Sequence, residues 1–253
     1  MRSILCWNSK GGVGKTTLCA YLIWHSIKSG SRVLAIDLDQ QANLSHTLGD
    51  TDEAIRASVS GTDLFLPGTA IDHSPSGKLT LVTADDAIGD IEQTRDESVP
   101  MAFRDNVVAA SQHFDLCVID TPPSLGVRVV AGLITADYTV APIDLGEYSL
   151  IGIKRVLDFQ AQVAEHFGIT PPQFLGIIAS RYDTRSPRER AIYEQLLQEA
   201  ESIPLFPHYI TKRDAYARSS TERVPAWEMT GTAAREATAE IRTVMREFAR
   251  RMG

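Results

Sequence analysis

The chain has 253 residues, 43% of them hydrophobic and 23% charged, with a net charge of −7. That length suits one large α/β domain with a sizeable core, and no apolar run approaches the ~20 residues that span a bilayer. The acidic balance argues against a wholly basic nucleic-acid binder. The three cysteines, with no Cys-x-x-Cys pair, read as reduced core thiols of a cytoplasmic protein rather than as ligands of a zinc or iron–sulfur centre.

Met1-Arg2-Ser3 passes at once into an apolar run, Ile4-Leu5-Cys6-Trp7, which reads as a buried strand with no leader peptide before it. Asn8-Ser9-Lys10-Gly11-Gly12-Val13-Gly14-Lys15-Thr16-Thr17 follows as a glycine-rich turn and the first turn of a helix to about Ser29. Glycines let backbone N–H groups approach a phosphate, and the helix N-terminus adds the positive end of a dipole. Lys15 reaches the outer phosphates of a nucleotide, and the Thr16 hydroxyl ligates Mg2+. The usual loop has glycine five residues before Gly14, where this chain has Ser9. The result is a variant loop with a lysine at each end, Lys10 and Lys15.

Gly30-Ser31 closes that helix, and residues 32–36 read as a second buried strand ending in Asp37-Leu38-Asp39. Carboxylates at the C-terminal end of a strand point into the crevice where α/β sheets bind ligands, although one of the two can cap the next helix instead. From Thr51 to Lys78, the residues Gly61, Pro67, Gly68, Pro75 and Gly77 break any long element, so short helices and loops are expected. Residues 79–82 read as a strand and 99–113 as a helix. Residues 115–120 form the next buried strand, ending in Asp120 and followed by Thr121-Pro122-Pro123-Ser124. After a phosphate loop, an aspartate so placed holds Mg2+ through water, and the stiff turn behind it suits a switch that senses the γ-phosphate.

Residues 138–142 read as another strand, 143–148 as a loop, and the stretch to about 167 as a long helix. A further strand, 174–179, ends in Ser180-Arg181-Tyr182-Asp183. There Arg181 or its aromatic neighbour packs on a nucleotide base, or the run is a plain surface loop. Residues 205–210 read as a last strand, after which Thr211-Lys212-Arg213-Asp214 opens a basic end: residues 211–253 carry +3 and the first 210 carry −10. An acidic body with a basic end suggests a local anionic partner. In the final helix, 232 to about 250, Ala237, Ile241, Val244, Met245 and Phe248 fall on one arc at about 100° per residue. Arg235, Arg242, Arg246 and Arg250 fall on a second arc, and Glu236, Glu240 and Glu247 on a third. The first arc is core. The arginine arc is either a solvated face laced with salt bridges or a stripe that contacts phosphates.

These motifs together resemble the ParA-type partition ATPases of the ParA/MinD deviant Walker A superfamily. The resemblance covers nearly the whole chain. It rests on the variant loop Lys10 to Thr17, on Asp37-Leu38-Asp39-Gln40 with Asn43, and on Asp120-Thr121-Pro122-Pro123. The run Tyr209-Ile210-Thr211-Lys212-Arg213-Asp214-Ala215-Tyr216 resembles the small plasmid-type members, which lack an N-terminal DNA-binding domain; Thr211 stands where many chromosomal relatives carry proline. The resemblance implies an α/β P-loop NTPase fold in a single domain, 1–253, with a mostly parallel twisted sheet flanked by helices on both faces.

It also implies ATP and Mg2+ as cofactors. Lys10, Gly11, Gly12, Val13, Gly14, Lys15, Thr16, Thr17, Arg181 and Ile210 would surround the nucleotide, with Thr16 and, through water, Asp120 on the metal. Lys10, Lys15 and Asp39 form the implied catalytic set: Lys15 binds the β- and γ-phosphates, Asp39 orients the attacking water, and Lys10 reaches across an ATP-sandwiched homodimer to the other protomer's phosphates. The ATP-bound dimer of such proteins coats DNA without sequence preference, which implies a cytoplasmic, nucleoid-associated protein. A partner protein stimulates its slow hydrolysis, and a plasmid, chromosome region or protein body is positioned. Lys212, Arg213, Arg218, Arg242, Arg246 and Arg250 are candidates for DNA contact by region and charge. The alternative is a membrane-surface switch of the MinD branch; a metabolic relative, a reductase or an ATP-dependent ligase, is a third reading.

Overall fold

The first strand is apolar on both of its faces. In β1 (Arg2–Cys6), Ile4 and Cys6 join one core cluster while Leu5, and Trp7 just past the strand, join another, all fully buried. Successive side chains of a strand point to opposite faces, so a strand apolar on both belongs inside a parallel sheet covered on both sides. The computed structural model describes residues 1–49, 54–74, 77–146, 149–199 and 204–253, and it builds that sheet. The other strands are β2 (Val33–Asp37), β3 (Ala54–Arg56), β4 (Leu79–Val82), β5 (Leu116–Asp120), β6 (Tyr138–Ile143), β7 (Gln173–Tyr182) and β8 (Ile210–Thr211). Among the described residues they form one eight-stranded sheet in the order β3-β4-β2-β5-β1-β6-β7-β8, every pairing parallel. The expected mostly parallel sheet is thus wholly parallel there.

The helices are α1 (Lys15–Lys28), α2 (Asn43–Leu48), α3 (Ser98–Ala109), α4 (Val127–Thr135), α5 (Ser149–Phe167), α6 (Pro187–Gln198), α7 (Asp214–Glu222) and α8 (Thr232–Met252). Leu18, Leu44, Tyr216 and Ile241 place α1, α2, α7 and α8 against the Ile4 side of the sheet, whereas Phe103, Val129, Val156 and Leu196 place α3 to α6 against the Leu5 side. This layering, helices on both faces, follows from the two-sided apolar strands. Strand register then positions the site. Cys6 of β1 and Asp37 of β2 both pair with Asp120 of β5, so three adjacent strands end level under the loop that leaves β1.

Several sequence expectations need correction. Residues 205–210 are not a strand: Leu205 makes only a single bridge to Ile177, and regular pairing with β7 is confined to β8. Proline has no N–H to give a ladder, and Pro204 and Pro207 bracket Leu205-Phe206. The strand expected over 174–179 runs on to Tyr182, so Ser180 and Arg181 lie within β7 rather than beyond it. The irregular stretch contains the short edge strand β3, too brief to display a period. On the third arc of α8, which the sequence left without assigned partners, Glu240 accepts from Thr211 and Tyr216, and Glu247 from Arg250 and Arg251. Thr51, Pro75 and Tyr148 lie outside the described residues. Cys6, Cys19 and Cys117 are buried free thiols.

Candidate nucleotide site

The phosphate loop turns through two left-handed glycines, Gly12 at φ +72° and Gly14 at φ +92°, before α1 begins at Lys15. These are conformations that residues with a Cβ rarely adopt. At Gly14 space forbids a side chain as well, since a Cβ would lie 2.7 Å from the Ser180 Oγ. The loop's start is tied down by Asn8, whose Nδ2 donates to the Pro142 carbonyl at 2.9 Å while its Oδ1 accepts from the Lys10 N–H at 3.0 Å. The two lysines then part company. Lys15 is buried, and its Nζ donates back to the Lys10 carbonyl at 3.2 Å. Desolvation pulls its pKa down, opposed by the charges of Asp120 and Asp39. The Lys10 side chain is 59% exposed, and its Nζ lies 2.6 Å from the Asp144 carboxylate just past β6.

The acids at the strand ends divide in the same way. Asp37 is fully buried and accepts from the Ser45 N–H and Oγ, both at 2.8 Å, and from the Asp39 N–H at 3.1 Å. It therefore pins the first turn of α2, and of the two acids it is the one that serves the next helix. Asp39 is half-buried and accepts from the Gln41 N–H at 3.0 Å. Asp120 is fully buried beside Asp37, and its Oδ2 has no hydrogen-bond partner. Burial, then the Asp37 charge, pushes its pKa up to about 8, against a hydrogen bond from Thr16 and the charge of Lys15. A buried carboxylate oxygen left without a donor is rare in folded proteins. Here it sits next to a hydroxyl and a buried ammonium, the oxygen-donor setting that Mg2+ and its waters satisfy. The residues present fit that ion.

The turn after Asp120 leans on the loop: Pro123 comes within 3.7 Å of the position a Cβ on Gly11 would take. Beyond it lie two hollows of about 600 and 610 Å3 that share Arg181 and Lys212 in their walls. Gly11, Gly12 and Asp144 line the first, and Thr17 and Ile210 the second. Arg181 has a left-handed backbone, φ +58°, and its Nη1 donates to the Gly12 carbonyl at 2.8 Å. Its guanidinium thus braces the phosphate loop rather than standing free as a platform for a base. Asp144 and Ser180 joined the site without being anticipated. Asp144 stands just past a strand end, the same signal that marked Asp120; Ser180 carries none.

The basic candidates disperse. Lys212 faces the hollows, Arg213 pairs with Glu236 at 2.5 Å, Arg218 with Glu222 at 2.7 Å, and Arg250 with Glu247 at 2.6 Å. Among the described residues, Arg242 and Arg246 on α8 form no ion pair.

A parallel sheet whose first strand feeds a two-lysine glycine loop, with aspartates ending the neighbouring strands, defines a P-loop nucleoside triphosphatase. The AAA_31 family model, described as an AAA domain, matches residues 1–170. The chain is 34% identical over 250 residues to the protein IncC of Escherichia coli, covering 96% of this chain and 68% of that one. It is 31% identical over 200 residues to the chromosome-partitioning ATPase Soj of Thermus thermophilus, covering 78% and 76%. Its fold superposes on the ATP complex of a Cyanothece McdA variant with a TM-score of 0.80 at 19% identity, over 98% of this chain and 96% of that one. The chain belongs to the ParA-type partition ATPases.

Proposed function

We propose that this chain is a single-domain, ATP- and Mg2+-dependent switch that dimerises around nucleotide, binds DNA without sequence preference and positions a cargo. Lys15 serves the β- and γ-phosphates of its own nucleotide, Thr16 and the waters on Asp120 hold the metal, and Asp39 orients the attacking water. Gly11 to Gly14 and Thr17 cradle the phosphates, and Arg181 and Ile210 flank them. When bound, Mg2+ neutralises charge on the β- and γ-oxygens. The protein's own task is to exclude water and hold these groups in line.

The observation that carries this reading is the contrast between the two loop lysines. Lys15 is buried and committed to its own loop, whereas Lys10 is held by one exposed ion pair. An exposed pair is worth roughly 0–1 kcal/mol, so Lys10 exchanges Asp144 for another protomer's phosphate at little cost. Hydrolysis completed by a second copy suits a timer, and stimulation by a partner protein suits a gated one. Arg242 and Arg246 support the DNA reading, and the charges of Arg242 and of Lys28 on α1 both bear on His25, whose pKa burial and then these two cations lower. The apolar arc of α8 favours DNA over a membrane surface, because Ala237, Ile241, Val244, Met245 and Phe248 are all at most 2% exposed. Among the described residues, no helix is long and apolar enough to cross a membrane.

One experiment tests both halves. Wild-type protein and Lys10→Ala are incubated with ATP and Mg2+, sized by light scattering, then pelleted with plasmid DNA or with anionic liposomes. The wild type dimerises and pellets with DNA; Lys10→Ala binds nucleotide but stays monomeric and does not pellet. A dimeric Lys10→Ala removes the sandwich role, and pelleting with liposomes but not DNA replaces this reading by the membrane one.

A further inference from the structure

A part-buried ion pair outside the nucleotide loop, between a buried arginine and a carboxylate 23% exposed, ties together the two acidic loops of the site. Arg128, near the start of α4, has a side chain only 8% exposed, and its Nε donates to Glu92 Oε1 at 2.7 Å. Its Nη1 donates to the Leu38 carbonyl at 2.9 Å. That carbonyl belongs to the peptide joining Leu38 to Asp39, so the guanidinium holds the backbone that aims Asp39. Leu38 in turn donates its N–H to the Asp120 carbonyl at 2.9 Å.

Glu92 completes the connection from the other side. Its Oε2 accepts the Val127 N–H at 2.7 Å, and Oε1 receives the Ser124 hydroxyl at 3.4 Å. Ser124 lies on the turn that descends from Asp120, and Val127 opens α4 at the end of that turn. A Cβ on Gly126 would fall 1.6 Å from Glu92 Oε2, so the carboxylate occupies space that only glycine leaves open. Glu92 is the penultimate residue of the 3-10 segment Asp86–Gln93, whose first carbonyl, on Asp86, accepts from Gln40 Nε2 at 3.3 Å. One short segment therefore touches the Asp39 loop through Gln40 and, through Glu92 and Arg128, the Asp39 and Asp120 loops together.

Burying an arginine beside a carboxylate contributes little net stability unless the remaining donors and acceptors are also satisfied, and here those partners are the Leu38 carbonyl before Asp39 and the Ser124 hydroxyl and Val127 N–H that follow Asp120. We propose that Glu92 and Arg128 form a strut that sets Asp39 against Asp120, acting as positioning residues for ATP hydrolysis and not for nucleotide binding. The inference rests on the reading of Asp39 as the residue that orients water. A nucleotide held by the phosphate loop does not need the strut; a water aimed by Asp39 does. The strut is also a path by which pressure on the 86–93 segment reaches both loops at once.

The test compares wild type, Arg128→Met, Arg128→Lys, Glu92→Gln and the exchanged pair Glu92→Arg with Arg128→Glu. Each is measured for Mg2+-dependent phosphate release, for ATP affinity by a fluorescent analogue, and for thermal midpoint. Misplacement of a catalytic group by about 1 Å costs on the order of 100-fold, so Arg128→Met lowers kcat about 10- to 100-fold while nucleotide affinity moves less than about threefold. Arg128→Lys and Glu92→Gln, which keep volume and part of the bonding, lose less. The exchanged pair restores opposite charges but puts a carboxylate where the Leu38 carbonyl needs a donor. It therefore stays slow, whereas a merely structural salt bridge would be rescued. Should Arg128→Met fail to fold, the same kcat-against-affinity split is read from Arg128→Lys and Glu92→Gln. Unchanged kcat in the folded variants, recovery in the exchanged pair, or affinity falling in step with kcat overturns the strut. Absence of hydrolysis by the wild type overturns the functional reading, and the strut with it.

Discussion

Two of the places where this molecule buries charge are finished differently. At the C-terminal end, Glu247 is only 9% exposed on its side chain, yet Arg250 donates to it at 2.6 and 2.8 Å and Arg251 at 2.6 Å. Those donors hold its pKa down at about 2. Arg251 continues to the carbonyls of Leu175 and Leu205 and lies over the Phe206 ring, so the pair clamps α8 to β7 and the neighbouring chain. At the phosphate loop, Asp120 is more deeply buried but has an oxygen with no donor, and its pKa moves the other way, up to about 8. An acid whose partners are all present is part of the scaffold. One left incomplete beside a lysine and a threonine is set for a ligand.

Replacing Asp120 tests that contrast most severely. Asp120→Asn abolishes Mg2+-dependent hydrolysis, a loss of 100-fold or more by analogy with removal of a key electrostatic group, yet stabilises the ligand-free fold. The sign follows from linkage. The folded pKa lies above the ordinary 3.8, so this group's contribution is fully present below pH 3.8 and is lost as pH rises to about 8. In EDTA, the thermal midpoint of wild type should fall behind that of Asp120→Asn across this window and level off above it. An asparagine variant less stable than wild type at pH 8 would make Asp120 a scaffold acid like Glu247.

The parts of this contrast that were legible in the sequence are the local ones. The glycine loop, with Lys10 and Lys15, Asp39 just past β2 and Asp120 at the end of β5 each announce themselves within a few residues, because loop geometry and strand endings are local matters. The core arc of α8 is equally local. What the sequence hid depends on contacts between distant segments. Asp37 and Asp39 could not be told apart until Ser45 was seen to occupy Asp37. The Lys10–Asp144 pair spans 134 positions and Glu92–Arg128 spans 36, so neither leaves a spacing to read. The expected strand at 205–210 fails for a local reason: Pro204 and Pro207 bracket the apolar pair Leu205-Phe206 and deny it a ladder.

At the scaffold end, Glu247→Gln is the next largest effect. Glutamine keeps the shape but loses the charge that three arginine nitrogens share, at a cost of about 1–3 kcal/mol, or very roughly 2–9 °C for a chain of this size. Hydrolysis stays as in wild type. The pH dependence is the reverse of that at Asp120. The folded pKa is below the ordinary 4.5, so the stabilisation is present above pH 4.5 and is lost as pH falls to about 2. Urea unfolding at pH 7 and pH 3 should show the variant's deficit shrinking with acid; a deficit that stays constant would mean packing, not charge, sets the effect.

The smallest structural effect, and the finest division of the basic end, comes from Arg242→Glu with Arg246→Glu. Both side chains are exposed, and among the described residues neither forms an ion pair, so fold stability should stay within about 0.5 kcal/mol of wild type. If they contact phosphates, the slope of log affinity against log salt for plasmid DNA falls by about two, one for each cation removed. Arg218 is the internal control. Its guanidinium is already held by Glu222 at 2.7 Å, so Arg218→Ala should leave the slope nearly unchanged. A slope that drops for Arg218→Ala and not for the α8 pair would move the DNA surface from α8 to α7 and the hollows beside Lys212. An unchanged slope in both would leave the arginine arc as a solvated face, with no more part in binding than its neighbours.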